Sequence, residues 1–253
     1  MNKFSRTIVL AVLSTAACLA MAASTPPKEI LLRAYVDMDA RGRVTGMEWP
    51  QMDPKSKPLT DRLEAAIRRW EFEPGSVDGV PAATRTGLTL LVGVGQTAQG
   101  ALTLSIRDAY TGAIADRMVI PRFPPAQART GNTAALSLLL DVDETGNVTN
   151  ATVTDYRPTG RRAGQAAKAR TAFENASRDA LMQWKIAPER VFGKALASQV
   201  RVPIDFCMDS NPCRPQSDKK DKMEVDTDNL PSGTAVALDS VVKIKTQIES
   251  VEV

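Results

Sequence analysis

Val36-Asp37-Met38-Asp39-Ala40-Arg41-Gly42-Arg43-Val44-Thr45 returns, 104 positions later, as Leu140-Asp141-Val142-Asp143-Glu144-Thr145-Gly146-Asn147-Val148-Thr149. Both stretches stand among alternating apolar residues. Leu32, Ala34 and Val36 lead into the first turn and Val44 follows it; Leu136, Leu138 and Leu140 lead into the second, with Val148 and Val153 after. A period of two suits a half-buried strand, because successive side chains point to opposite faces. Gly at the tip takes a positive φ without steric penalty. Each stretch therefore predicts a β-hairpin.

Working outward, Trp70-Glu71-Phe72-Glu73-Pro74 with Asp78-Gly79 is matched by Trp184-Lys185-Ile186-Ala187-Pro188 with Phe192-Gly193, now at an offset of 114. The added length lies in Arg157 to Arg170, a basic, Gly-containing insertion. Before each Trp runs a helical stripe: Leu59, Leu63, Ala66, Ile67 and Trp70, then Phe173, Ser177, Ala180, Leu181 and Trp184. The Pro after each Trp takes the chain out of the helix toward a last strand, Leu88 to Val94 or Gln199 to Phe206. Hairpin, helix and returning strand make a two-layer α+β unit. The expected fold is two tandem β-β-α-β modules, residues 28–94 and 121–206, each an antiparallel sheet with a helix on one face. Units so small bury little surface alone, so the copies should pack together or exchange a strand. Residues 95–120, with Leu102, Leu104 and Ile106 before a Tyr110-Thr111-Gly112 turn and Ile114, Met118 and Ile120 after it, read as an inserted hairpin joining the modules.

The N-terminus carries Lys3 and Arg6, an uncharged run from Thr7 to Met21, and Ala20-Met21-Ala22. This has the form of an export signal, residues 1–22, cleaved near Ala22, and it predicts a periplasmic protein. The alternative is a retained anchor, although the run is shorter than the roughly 20 residues of a spanning helix. Lipidation at Cys18 is a weaker reading, since Thr15 stands where a lipobox usually has Leu. Cleavage would lower the formal charge from +3 to +1, which removes the basic excess expected of nucleic-acid binding. With 43% hydrophobic residues and only 5% aromatic, the cores must be largely aliphatic.

The chain contains no His, which excludes Ser-His and Cys-His nucleophilic pairs and His-based zinc sites. Asp37 with Asp39, and Asp141 with Asp143, share a strand face and read as solvated hairpin residues. Their Asp-x-Asp-x-x-Gly spacing resembles the start of a calcium loop, but Arg41 fills a ligand position and neither copy has the closing Glu. No catalytic residue, cofactor or metal is expected, and the chain reads as a binding protein rather than an enzyme. Trp70 and Trp184 read as core. Arg157, Arg161, Arg162, Lys168 and Arg170 read as a solvated loop and helix start, or else a patch for anionic partners. In an exported chain Cys207 and Cys213, five residues apart around an Asn-Pro turn, predict a disulfide loop worth about 2 kcal/mol.

The second copy opens with Pro121-Arg122-Phe123-Pro124-Pro125-Ala126-Gln127-Ala128 and closes with Val202-Pro203-Ile204-Asp205-Phe206. Together with the Asp-x-x-Gly-x-Val hairpin, the Trp-x-aliphatic-x-Pro exit and Gly193-Lys194, residues 121–206 resemble a TonB C-terminal domain. The first copy shares the hairpin, the Trp exit and Asp78-Gly79, lacks the aromatic-Pro opening and the final Val-Pro-Ile, and is the degenerate member. The resemblance implies that an extended peptide from an outer-membrane transporter or another envelope protein is received as an added strand on a sheet edge. The edge it points to is Gln199, Val200, Arg201 and Val202, with Leu88, Leu90 and Val92 as a second. Pro203 supports the first independently, since it lacks the N–H that a central strand needs. Energy-transducing members keep an N-terminal helix with a functional His and a long Pro-rich spacer; this sequence has no His, and its first repeat begins within a few residues of the signal. The expected function is a periplasmic binding module, the alternative a TonB-type energy transducer held by an uncleaved anchor.

Residues 207–233 read as a disulfide loop and a polar linker. In 234–253, alternation returns at Val236, Leu238, Val242, Ile244, Thr246 and Ile248, a strand-like tail. That tail is expected either to pair within the chain or to occupy the binding edge of a module, in cis or in a homodimer, until a partner displaces it.

Overall fold

The structure is a computed structural model that describes residues 28–97, 100–159, 166–208, 230–248 and 251–252. The export signal, Arg161, Arg162 and Cys213 lie outside the described residues. Among the described residues no helix is long and apolar enough to cross a membrane.

Two antiparallel sheets carry the fold. In the first, β1 (Lys28–Met38) turns at Gly42 into β2 (Val44–Glu48), the chain forms α1 (Lys57–Ile67), and a short β3 (Phe72–Glu73) follows. A small hairpin, β4 (Ser76–Val77) with β5 (Val80–Pro81), then leads into β6 (Thr84–Gln96). β6 runs antiparallel to β1 along the full length of β1, from Lys28↔Val94 to Met38↔Thr84. The inward row Ala34, Val36, Leu88 and Leu90 is completely buried, and Leu63 and Ile67 of α1 close over it. The predicted hairpin and helical stripe are present because each repeats at its own period and packs one face inward.

The second sheet has the same order. After β7 (Leu102–Gly112), β8 (Ile114–Arg117) and the short α2 (Pro125–Thr130), β9 (Ala134–Val142) turns at Gly146 into β10 (Val148–Pro158). There follow α3 (Ala166–Leu181), β11 (Lys185–Ala187), a small hairpin of β12 (Arg190–Val191) with β13 (Lys194–Ala195), and β14 (Ser198–Phe206), which pairs with β9 throughout. Leu138, Leu140, Val200 and Val202 are fully buried beneath Phe173 and Leu181 of α3. Phe123 meets Phe173 and Phe206 edge-on at 5.6 Å, and Phe173 lies 4.8 Å from Phe206. The aromatic-Pro opening thus anchors the segment entering β9 in this core. Trp70 and Trp184 are buried, and Trp184 Nε1 donates to the Val119 carbonyl at 2.9 Å.

Matched details recur at both hairpin tips. Asp39 Oδ1 accepts from the Arg41 and Arg43 amides, and Asp143 Oδ1 from those of Thr145 and Asn147, all within 3.0 Å. Gly42 has φ +76° and Gly146 φ +81°. A Cβ on Gly42 would lie 1.9 Å from the Phe72 carbonyl oxygen, and one on Gly146 2.0 Å from that of Ile186. Each tip is clamped under the strand that follows its helix.

Two expectations for the joining segments are corrected. Residues 102–112 do not form a self-contained hairpin with 114–117. β7 adds to β6 over Gly87–Gln96, burying Leu104 and Ile106 in the first core, and the chain then turns at Gly112 (φ +124°) and sends β8 to β11. The alternation of Leu102, Leu104 and Ile106 specified a strand, but the partner was chosen by the open side of β6. The tail is likewise not one strand. It divides into β15 (Val236–Ala237) on β14, β16 (Lys243–Ile244) on β3 and β17 (Val251–Glu252) on β7.

The outcome is a crossed arrangement. The segment after β6 covers β6 and then crosses to pair with β11 of the second sheet. The segment after β14 covers β14 and then crosses to pair with β3 of the first. Ala113 and Ala115 pack in the second core, and Val242 in the first.

Candidate functional site

The edge singled out by Gln199, Val200, Arg201 and Val202 is the outer side of β14. Val200 and Val202 point into the core, while the backbone groups of Gln199, Pro203 and Asp205 face outward. Pro203 therefore turns its missing N–H to the outside, where it leaves no ladder bond unmade.

That outer side is covered by the chain itself. Residues 230–248, here called the strap, run antiparallel to β14 with Val200 opposite Ala237 and Arg201 opposite Val236. Leu238 N–H donates to the Gln199 carbonyl at 2.9 Å and Gly233 N–H to that of Pro203 at 2.7 Å. The Gln199 amide donates to the Asp239 carboxylate at 3.1 Å, and the Asp205 amide to Ser232 Oγ at 2.8 Å. Side chains therefore replace ladder partners at both ends of a two-residue pairing. Leu230, Thr234, Ala235, Val236 and Ala237 are buried. Burying Leu230, Val236 and Val242 contributes at most roughly 5–9 kcal/mol to docking. Since the strap lies on its own chain, a homodimer formed through the tail has no support.

The second edge, Leu88, Leu90 and Val92, is corrected. β6 is paired on one side with β1 and on the other with β7, and all three side chains are fully buried. No open edge exists there, because β7 occupies it.

The acidic pairs are engaged by neighbouring side chains and backbone amides. Asp37 pairs with Arg85, whose other arm bonds Glu48. Asp141 accepts from Gln199 Nε2 at 2.8 Å and Asn150 Nδ2 at 3.0 Å, and these bonds hold its carboxyl below the usual range. Asp143 is lowered to about 2 by the Thr145 hydroxyl and the neighbouring backbone amides. Among the described residues no cluster of potential metal ligands occurs. In the basic insertion Arg157 pairs with Asp155 and Arg170 with Glu174, while Lys168 is exposed. Cys207 is disulfide-bonded; with Cys213 outside the described residues, their pairing stays an expectation.

One residue of the site gave no sequence signal. Glu189 follows the helix-exit Pro188 and is only 3% exposed. Its Oε1 accepts from Thr86 Oγ1 at 2.6 Å and Ser240 Oγ at 3.0 Å, and its Oε2 from the Val241 amide at 3.0 Å. It thereby joins β6, the turn between β11 and β12, and the strap, next to the point where β12 pairs with β6. Burial raises its pKa above the ordinary carboxylate value, while those bonds oppose the rise.

No family model matches the chain, and no solved structure matches it. Protein TonB of Xanthomonas campestris pv. campestris, in two strains, is 33% identical to the chain over 88 residues, 35% of this chain and 34% of that protein. The chain thus aligns with about a third of the length of these curated relatives.

Proposed function

We propose that this chain is a TonB-like envelope protein whose second sheet receives an extended segment of a transport protein, or another envelope protein, as an added strand on the outer edge of β14. One observation carries the reading: that edge takes an added extended segment, the strap, through backbone hydrogen bonds. β14 has nine residues and the strap ladder uses two of them, so an incoming strand can form more pairs than the one it displaces. The strap competes from within the same molecule, at an effective concentration on the order of millimolar. Displacement therefore demands a partner with a long, alternating apolar face. The likeness to Protein TonB supports an envelope location and a partner among envelope proteins. The role is binding, without turnover.

The repeated sequence, the shared strand order and the paired clamps at Gly42 and Gly146 support reading the fold as one β-β-α-β module written twice. In the first copy β7 fills the edge that the strap covers in the second, over ten ladder pairs rather than two.

Photo-crosslinking in cells from Gln199 and Arg201, whose side chains are not buried, tests the proposal. Adducts to an envelope transport protein, increased when residues 234–253 are removed, are the expected result. Adducts confined to the chain's own residues 230–248 in the intact protein, with none gained on truncation, would overturn it. A second reading, a TonB-type transducer retained by an uncleaved N-terminus, rests on the same likeness. The mass of the mature protein separates the two, because a chain beginning at Ala23 carries no such anchor.

A further inference from the structure

We propose that the strap is held by a proton-operated latch: Glu189, buried where the strap crosses from the second sheet to the first, grips it most firmly when its carboxyl is protonated and loosens it when ionised.

The crossing is narrow and polar. A Cβ on Gly112 would come within 2.3 Å of Ala237 Cβ, and one on Gly75 within 3.1 Å of Val241 Cγ2. The strap therefore passes directly over backbone at both points. Between them Ser240 Oγ lies 3.1 Å from Thr111 Oγ1, Thr111 Oγ1 donates to the Val242 carbonyl at 2.7 Å, and the Gly112 amide donates to Thr86 Oγ1 at 3.0 Å. The strap's own contribution to the carboxyl is the Ser240 hydroxyl and the Val241 amide. These contacts exist only while the strap is docked.

The donors facing Glu189 are neutral. Among charged groups on the surrounding elements, Asp239 of the strap opposes ionisation, and Asp108 of β7 accepts from the Tyr110 hydroxyl. Arg85 of β6 is engaged by Asp37 and Glu48, Arg190 of β12 reaches the Gly193 carbonyl, and Lys243 of the strap is exposed. An ionised Glu189 is thus a buried charge stabilised by hydrogen bonds alone. The protonated form fits without leaving a group unpaired. A hydroxyl can donate or accept, and Ser240 has the Val242 carbonyl as an alternative acceptor at 3.1 Å, so it can receive the carboxyl proton while the Val241 amide keeps Oε2.

The direction follows from linkage. Docking buries Glu189 and raises its pKa above the ordinary 4.5, whereas release returns the carboxyl to water. The stabilisation of the docked strap is complete below that ordinary value and is lost as pH rises through the raised one. Each unit of elevation corresponds to about a tenfold change in the docking equilibrium.

The test is amide exchange in the full chain, expressed as protection relative to unfolded-chain rates, at about pH 5 and about pH 8. Protection of Leu238 and Val241 should fall several-fold across that interval while Leu138 in β9 holds steady. Glu189→Gln, a neutral isostere whose amide can donate to Thr86 and Ser240, should keep the low-pH protection at both values. A flat profile in the wild type, or the same fall in Glu189→Gln, would overturn the latch. If Glu189→Gln does not fold, Asp239→Asn serves instead: its amide oxygen can still accept from the Gln199 amide, and removing the charge that opposes ionisation of Glu189 should move the midpoint of the fall to lower pH, with an unmoved midpoint refuting. No partner is added, so the outcome is independent of the strand-addition proposal.

Discussion

Replacing Gly146 with alanine should destabilise the protein by about 2–5 kcal/mol, and the structure shows where that cost arises. At φ +81° an L-residue loses roughly 1–2 kcal/mol to the left-handed backbone. The new methyl would also start 2.0 Å from the Ile186 carbonyl oxygen and 3.2 Å from its carbon. Both are backbone atoms with no rotamer to swing aside, and relieving such a contact adds about 1–3 kcal/mol. Separating the hairpin tip from β11 would weaken the bond from the Ile186 amide to the Gly146 carbonyl, 3.0 Å long. Gly193 isolates the steric part. Its φ of +79° is nearly the same and a Cβ there would meet nothing within 4 Å, so Gly193→Ala should cost only the roughly 1–2 kcal/mol of the backbone. Gly42→Ala, with its clash at 1.9 Å, should behave like Gly146→Ala. Urea unfolding followed by tryptophan fluorescence measures all three. If Gly146→Ala and Gly193→Ala cost the same, the clamp between hairpin tip and helix exit is not what holds these turns.

Two further outcomes follow from the same structure. The Asp143 carboxyl, held at about 2 by the Thr145 hydroxyl and the turn amides, makes its full contribution to the hairpin above the ordinary 3.8 and loses it as pH falls through about 2; an NMR titration midpoint near 3.8 would remove that role. Phe173→Ala, which empties a fully buried site between Phe123 and Phe206, should cost about 3–5 kcal/mol in the unfolding midpoint, and a loss below about 1 kcal/mol would mean that the aromatic cluster is not packed as described.

The parts of this fold that could be read in the sequence are those set by neighbours along the chain. Ala34, Val36 and Leu140 alternate because a strand alternates, Leu63 and Ile67 recur because a helix turns, and Gly42 marks a tip because the turn needs its φ. The choice of partner is not a local property. Leu104 and Ile106 carry as clear a strand pattern as Leu136 and Leu138, but nothing in their spacing says that β6 is the side left open. The candidate edge shows both halves of this. Pro203 pointed to the outer side of β14 through a missing donor, whereas the same spacing at Leu88, Leu90 and Val92 concealed that β7 lies over them. Glu189 left no trace because a single acid after a proline looks like any solvated loop residue until the strap is seen to cross it.

The crossed pairing also governs the order in which the chain can close. β11 waits for β8 across the whole second hairpin, and β3 waits for β16, which comes only after the last long strand, β14. Contacts so far apart in sequence form slowly, because the intervening chain must be drawn together before they are rewarded. β14 meets β9 across 60 residues, Leu140 to Val200, but meets the strap across only 37, Val200 to Ala237, so the cover over its outer side is the more local of the two contacts. A foreign extended segment therefore meets β14 with the resident strand tethered close by in the same chain, and must arrive as a competitor rather than as a first occupant.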